Sequence, residues 1–332
     1  MEIGSRTGPL SIWVVSDGRA GMENQALGLA EAVQRLFPSG ITVKRIRWRK
    51  AFDKWPSALK AAWMLDPSSD TVTPAPGQAC PDLWIATGRA TLPLSATVRY
   101  RSGGKTLVVQ TQDPRWRNAA YDLIVAPAHD RVVGPNVLSI TGSPHRVTPE
   151  RLAEGAAAFA DPLAALPRPR VAALIGGRSK AFDLTATHAA ELADQIARAV
   201  EAAGGSLMLT FSRRTPEAAK AAMTARLSHL PGMIWDGEGP NPYFALLKFA
   251  DHILVTEDSA NMAAEAASTG APVHILPMIP LKPAGKFERL HADLRERGAA
   301  RPFNGSLDAW TYAPLNETDG AAHAVLERLA VR

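Results

Sequence analysis

Short β-rich runs that end in small or polar residues and lead into alanine-rich helical stretches recur along the whole 332-residue chain. This alternation predicts parallel sheets with crossover helices, because parallel neighbours can be joined only through a connection that carries the chain back to the same end of the sheet. In the first half the expected strands are 11–15, 42–46, 83–86, 106–110, 123–126 and 137–140. In the second half they are 170–175, 206–210, 233–235, 252–255 and 273–276, with helical segments such as 187–203 between them. Each set makes one doubly wound domain. Residues 1–149 form the first and 170–332 the second, and 150–169, a helical stretch followed by Pro162, Pro167 and Pro169, is read as hinge and linker. A final helix over 321–330 could pack on either domain.

Composition enters as a set of exclusions. With 46% hydrophobic and 21% charged residues the chain has the make-up of a globular protein. Its only cysteine, Cys80, can build neither a disulfide framework nor a cysteine-based zinc site. The N-terminal run 12–15 is far shorter than a signal-peptide core, so a cytoplasmic protein is expected. The net charge of +5 is partly clustered. Between positions 44 and 63 lie Lys44, Arg45, Arg47, Arg49, Lys50, Lys54 and Lys60 against the single acid Asp53, interleaved with Trp48, Phe52, Trp55 and Trp63. Such a segment is either a solvated helix face with its aromatics in the core, or a surface for anionic lipid at the inner face of a membrane or for a phosphorylated acceptor. No recognised nucleic-acid module accompanies the charge, and nucleic acid is not expected as a partner.

Ligands of open parallel sheets bind beyond the carboxyl ends of the strands, so the loops there carry the chemistry. After 11–15 come Ser16, Asp17, Gly18, Arg19, Ala20, Gly21, Met22 and Glu23, without the third glycine of a dinucleotide fingerprint. After 170–175 come Gly176, Gly177, Arg178, Ser179 and Lys180, in which glycine amides, a hydroxyl and two cations suit a diphosphate. Ser212 and Arg213 repeat the pairing of hydroxyl and cation after the next strand. After 252–255, Asp258, Ser259, Asn261 and Met262 crowd a helix start, where carboxylates also serve as caps. Glu265 is the lone acid of the small, apolar run 262–267, a place where a ribose diol would give it two hydroxyl donors.

These residues resemble a known pattern. The run Glu265, Ala266, Ala267, Ser268, Thr269, Gly270, Ala271, Pro272 is similar to the Glu-x-x-x-x-Gly-x-Pro signature of GT-B glycosyltransferases, among them the enzymes that complete lipid II. Gly176-Gly177 with Ser179 is similar to their glycine-rich loop, and Thr141-Gly142-Ser143-Pro144 to a turn that ends their first domain. A closer resemblance covers nearly the whole chain through 15–27, 212–216, Asn241-Pro242-Tyr243 and 255–272. It is to the family of the plant elongated-mitochondria fission protein, whose bacterial members are usually described as glycosyltransferases.

The resemblance implies a GT-B fold, two Rossmann-like domains facing each other across a cleft. It also implies transfer of a sugar from a nucleoside diphosphate sugar, a UDP-sugar as donor, to an unknown lipid-linked or envelope acceptor. Gly177, Arg178, Ser179, Lys180 and Arg213 would stabilise the departing diphosphate and Glu265 would hold the ribose, with Gly176, Ser212, Asp258, Ser259, Asn261 and Met262 as further residues of the nucleotide-sugar site. Lipid II glycosyltransferases carry a histidine four residues before a glycine that resembles Gly28; this chain has Asn24 there. Asp17 and Glu23 remain as candidate bases for the acceptor proton. No Asp-x-Asp motif occurs, and neither metal nor cofactor is expected. Two other readings stay open: a nucleotide-sugar 2-epimerase, and a non-catalytic adaptor that keeps the fold.

Overall fold

The structure is a computed structural model that describes residues 8–74, 79–115 and 117–332. The chain divides into two compact units, Met1–Arg146 with Asn316–Arg332, and Val147–Leu315.

The first unit is built from β1 (Leu10–Ser16), α1 (Ala20–Leu36), β2 (Ser39–Arg45), the single-turn α2 (Lys50–Asp53), β3 (Leu83–Thr87), α3 (Leu92–Arg101), β4 (Leu107–Thr111), β5 (Leu123–Pro127) and β6 (Val137–Ile140). Its six strands are all parallel, in the order β2-β1-β3-β4-β5-β6. β3, β4 and β5 are buried along their whole length, as expected of strands covered on both faces. Ile12, Val14, Ile85 and Val109 point into one core with α1, while Trp13, Val15, Trp84 and Val108 point into the other.

The second unit comprises α4 (Pro149–Ala156), α5 (Ala160–Ala164), β7 (Arg170–Ile175), β8 (Phe182–Asp183), α6 (Ala186–Ala202), β9 (Ser206–Phe211), α7 (Glu217–Leu227), β10 (Gly232–Trp235), α8 (Tyr243–Phe249), β11 (His252–Thr256), α9 (Ala260–Ala267), β12 (Val273–Leu276), β13 (Ile279–Pro280), α10 (Gly285–Glu296) and β14 (Ala300–Pro302). The main sheet is parallel in the order β10-β9-β7-β11-β12-β14, and β8 and β13 form a separate antiparallel pair. All eleven strands expected from sequence are present. β8, β13 and β14 were not expected, since two or three residues, two of the three segments with a proline, leave no pattern to read.

Residues 150–169, read from sequence as a linker, belong to the second unit. Leu152, Ala156 and Leu163 are buried in its core, and Gly155 lies so close to Phe244 that a Cβ there would be 2.6 Å from the phenylalanine Cβ. The last helix, α11 (Glu317–Ala330), returns to the first unit. It packs on α1 through Ala321, Ala322, Val325 and Leu326, with Arg35 bound to Asp319 at 2.5 Å. The His145 N–H donates to the Thr318 hydroxyl at 3.2 Å, and a Cβ on Gly28 would lie 2.3 Å from the His145 carbonyl oxygen. His145 is therefore part of the packing, and burial pushes its imidazole down to about 4, so it stays neutral.

In each sheet the strand order reverses once, between β1 and β3 and between β7 and β11, and the crevice at such a reversal is where open α/β sheets take ligands. Asp17 and Glu23 follow β1. Gly176 follows β7, and Asp258 follows β11.

Candidate functional site

In the second unit the loops after β7, β9 and β11 are locked together by one carboxylate. Asp258 is fully buried at its side chain and accepts from the Thr256 hydroxyl at 2.7 Å, the Gly177 N–H at 3.2 Å and the Arg214 guanidinium at 2.7 Å. The Gly176 N–H donates to the Thr256 oxygen at 2.7 Å. Thr215 closes the knot, its hydroxyl donating to the Gly176 carbonyl. The glycines are required by this approach: a Cβ would lie 2.0 Å from Asp258 Oδ1 at Gly176 and 2.2 Å from the Arg214 carbonyl oxygen at Gly177.

This geometry changes several of the sequence expectations. The amides of Gly176 and Gly177, expected to face a diphosphate, are spent on Thr256 and Asp258. Asp258, read from sequence either as a helix cap or as a ligand of the nucleotide sugar, organises the loops. The Ser212 oxygen accepts from the Arg214 N–H at 3.2 Å and pairs with Thr215, so it shapes a turn. The Ser179 oxygen accepts from the Ala181 and Phe182 N–H groups at 3.1 Å each, which leaves its own proton free to be donated. Arg178, 3.8 Å from Asp183, and Lys180 and Arg213 face solvent, as does part of Arg214. Thr256, Arg214 and Thr215 lie in the strand-end loops that the sequence marked, but they were not among the expected binding residues; their place around Asp258 shows only in the fold.

Beyond this knot α9 begins. The Ser259 hydroxyl caps it, accepting from the Met262 N–H at 3.4 Å, and Asn261 and Met262 are half-buried in its first turn. One turn further, Glu265 Oε2 accepts a hydrogen bond from the Tyr243 hydroxyl, and among the described residues its Oε1 has no such partner. Burial outweighs that bond and pushes the Glu265 carboxyl up to about 7, while burial and the facing carboxylate push the Tyr243 phenol well above its usual range.

A cavity of about 580 Å³ opens beside the loop after β11, walled by Phe182 and Phe303 and carrying Glu257, Lys282, His291 and Arg295. His291 Nε2 donates to the Glu257 carbonyl at 3.0 Å, because a carbonyl can only accept. Burial raises the Glu257 carboxyl, which accepts from the Met278 N–H at 2.5 Å. Of these residues the sequence marked only the segment that holds Glu257; the others come together from β8, α10 and separate loops.

In the first unit the arrangement is different. Glu23, in the first turn of α1, accepts from the Ser16 hydroxyl at 2.9 Å and from both arms of Arg45, at 2.8 and 2.9 Å. Arg45 holds its carboxyl below the usual range, aided by Ser16. A carboxylate so stabilised is a poor proton acceptor, so the geometry disfavours Glu23 as a base. Asp17 is less confined: it is half-buried and bound to the exposed Arg19 at 2.7 Å.

The model of the mitochondrial fission ELM1 family matches residues 20–329. The chain belongs to that family. The mitochondrial fission protein ELM1 of Arabidopsis thaliana is 32% identical over 279 residues, covering 76% of this chain; the chain spans about two thirds (65%) of the plant protein's length. An uncharacterized protein of Rickettsia prowazekii (strain Madrid E), RP120, is 26% identical over 357 residues, covering 95% of this chain and 98% of its own. Among solved structures, the UDP-GlcNAc 2-epimerase of Methanocaldococcus jannaschii matches 96% of this chain and 92% of its own, with a TM-score of 0.53 and 13% identity, a likeness of fold. The fold is of the GT-B glycosyltransferase and epimerase type, with two parallel-sheet Rossmann-like units.

Proposed function

We propose that the protein is a glycosyltransferase that binds a nucleoside diphosphate sugar, a UDP-sugar, on its second unit. The observation that carries this reading is the convergence at one switch point of three strand-end loops, exposed cations and a carboxyl whose Oε1 has no protein hydrogen-bond partner among the described residues. Arg178, Lys180, Arg213 and the Ser179 hydroxyl would neutralise the diphosphate as it departs, where negative charge develops in the transition state. Glu265 would accept from the ribose. The acceptor hydroxyl would attack the anomeric carbon, lose its proton to a general base and displace the nucleoside diphosphate.

The test is calorimetric titration with uridine diphosphate. Glu265→Ala is expected to weaken binding about tenfold, since a hydrogen bond to a charged group contributes about 1.5–3 kcal/mol and 1.4 kcal/mol is one decade. Glu265→Gln should weaken it less. Equal affinity of a well-folded Ala variant would remove the assigned role, and product analysis with UDP-sugars separates transfer from epimerisation, which needs no acceptor. A second reading, a non-catalytic adaptor on the same fold, is favoured by the pairing of both candidate bases with arginines. Retained partner binding with no nucleotide affinity would support it.

The acceptor side would face an anionic membrane. Trp48 lies in the core as a structural aromatic should, but Trp55, Leu59 and Trp63 are 45%, 60% and 64% exposed among Lys50, Lys54 and Lys60. Among the described residues no helix is long and apolar enough to cross a membrane, so contact would be peripheral. Binding to vesicles containing phosphatidylserine should exceed binding to neutral ones and fall as salt rises. Equal, salt-insensitive binding to both would exclude it.

A further inference from the structure

The Asn241-Pro242-Tyr243 segment is part of the family resemblance, yet the proposed reaction gives it no role. Asn241 Oδ1 accepts from the Tyr243 N–H at 3.0 Å, fixing the residue that opens α8. The ring is held edge-on against Phe244, 5.8 Å between centroids, and Phe244 in turn packs on Gly155 of α4. The phenol therefore projects from a rigid support, and its hydroxyl ends on Glu265 Oε2. Two consequences follow from donor and acceptor chemistry. The phenol can give its single proton to nothing else while it binds Glu265, and it fixes which carboxylate oxygen remains for a ligand.

We propose that Tyr243 is the positioning residue for Glu265: its hydroxyl holds the carboxylate through Oε2 and presents Oε1 to a ribose hydroxyl. This rests on the nucleotide reading of the second unit. Among the elements packed against α9 are β11, β12 and α10, and none of their charged groups acts on Glu265; Tyr243 from α8 does, with burial opposing it. The phenol donates to the ionised form, so removing it should make Glu265 harder to ionise and leave its rotamer unset.

The experiment compares wild type, Tyr243→Phe, Glu265→Gln and the double variant. In ligand-free protein the Glu265 carboxyl is followed by 13C NMR and assigned by its absence from Glu265→Gln. Its midpoint should rise by about one unit in Tyr243→Phe, the equivalent of one tenfold-strength interaction. Uridine diphosphate affinity, measured from pH 6 to 9, should fall several-fold at pH 7 in Tyr243→Phe and recover at pH 9. In the Glu265→Gln background the same change should have little further effect, because Tyr243 acts through the carboxylate. Melting temperature without nucleotide reports folding for each variant. An unmoved Glu265 midpoint overturns the positioning role even where the nucleotide binds. A midpoint that moves while wild type binds no uridine diphosphate overturns the nucleotide reading, and the ribose role of Tyr243 with it. A loss of affinity equal at every pH, or undiminished in the Glu265→Gln background, would show Tyr243 acting by packing alone.

Discussion

At the switch point of the first unit, Glu23 is surrounded by groups that favour its charge: a hydroxyl and both arms of Arg45. At the corresponding place in the second unit two carboxylates divide the work. Asp258 takes the arginine, the Gly177 amide and the Thr256 hydroxyl, while Glu265, about two helical turns further along the chain, has a single phenol. The difference teaches that an acid at a strand end is not thereby a ligand group. A carboxylate whose lone pairs are filled by the protein organises loops, and one left with an open oxygen in an apolar setting is available for a substrate.

The largest expected effect is at Asp258. Replacement by Ala leaves the Thr256 hydroxyl and the Gly177 N–H without their acceptor in a buried place and frees Arg214. A loss of about 3 kcal/mol is expected on denaturant unfolding of the full chain. Glu23→Ala should cost clearly less, because Arg45 is largely exposed and water can replace its partner. A smaller loss at Asp258 than at Glu23 would break the comparison.

Much of this was legible in the sequence, for identifiable reasons. The central strands announced themselves because parallel strands covered on both faces are continuous apolar runs, as in Val171 to Ile175, whereas β2 and β10 at the edges carry no buried residue. Glu265 stood out as a lone acid in an apolar helix. What failed was partner assignment. Gly176 and Gly177 look the same in sequence whether their amides meet a phosphate or the protein's own Thr256 and Asp258, and only the hydrogen bonds at 2.7 and 3.2 Å tell which. Trp55 and Trp63 could not be distinguished from Trp48, which is buried, because all three share one cationic context. The last helix was visible as a helix, but its docking on α1 depends on residues nearly 300 positions away.

A smaller effect sharpens the comparison through its sign. Glu23 is held below its ordinary value of 4.5 in the folded protein, so the stability it contributes is present above pH about 4.5 and is lost as pH falls through the folded value. Glu265 is raised from 4.5 to about 7, so between those values the folded chain keeps a proton that the unfolded chain has released, and stability declines as pH rises through that window. The full shift would correspond to about 3 kcal/mol, and partial exposure of Glu265 brings the expectation to about 2 kcal/mol or less. Urea midpoints at pH 4, 5.5 and 7.5 separate the two residues. Relative to wild type, Glu265→Gln should gain stability between pH 4.5 and 7, whereas Glu23→Gln should be less stable at pH 5.5 and 7.5 and approach wild type in acid. Parallel curves for the two variants would mean that both carboxylates sit in equivalent surroundings, and the distinction between an organising acid and an available one would fail.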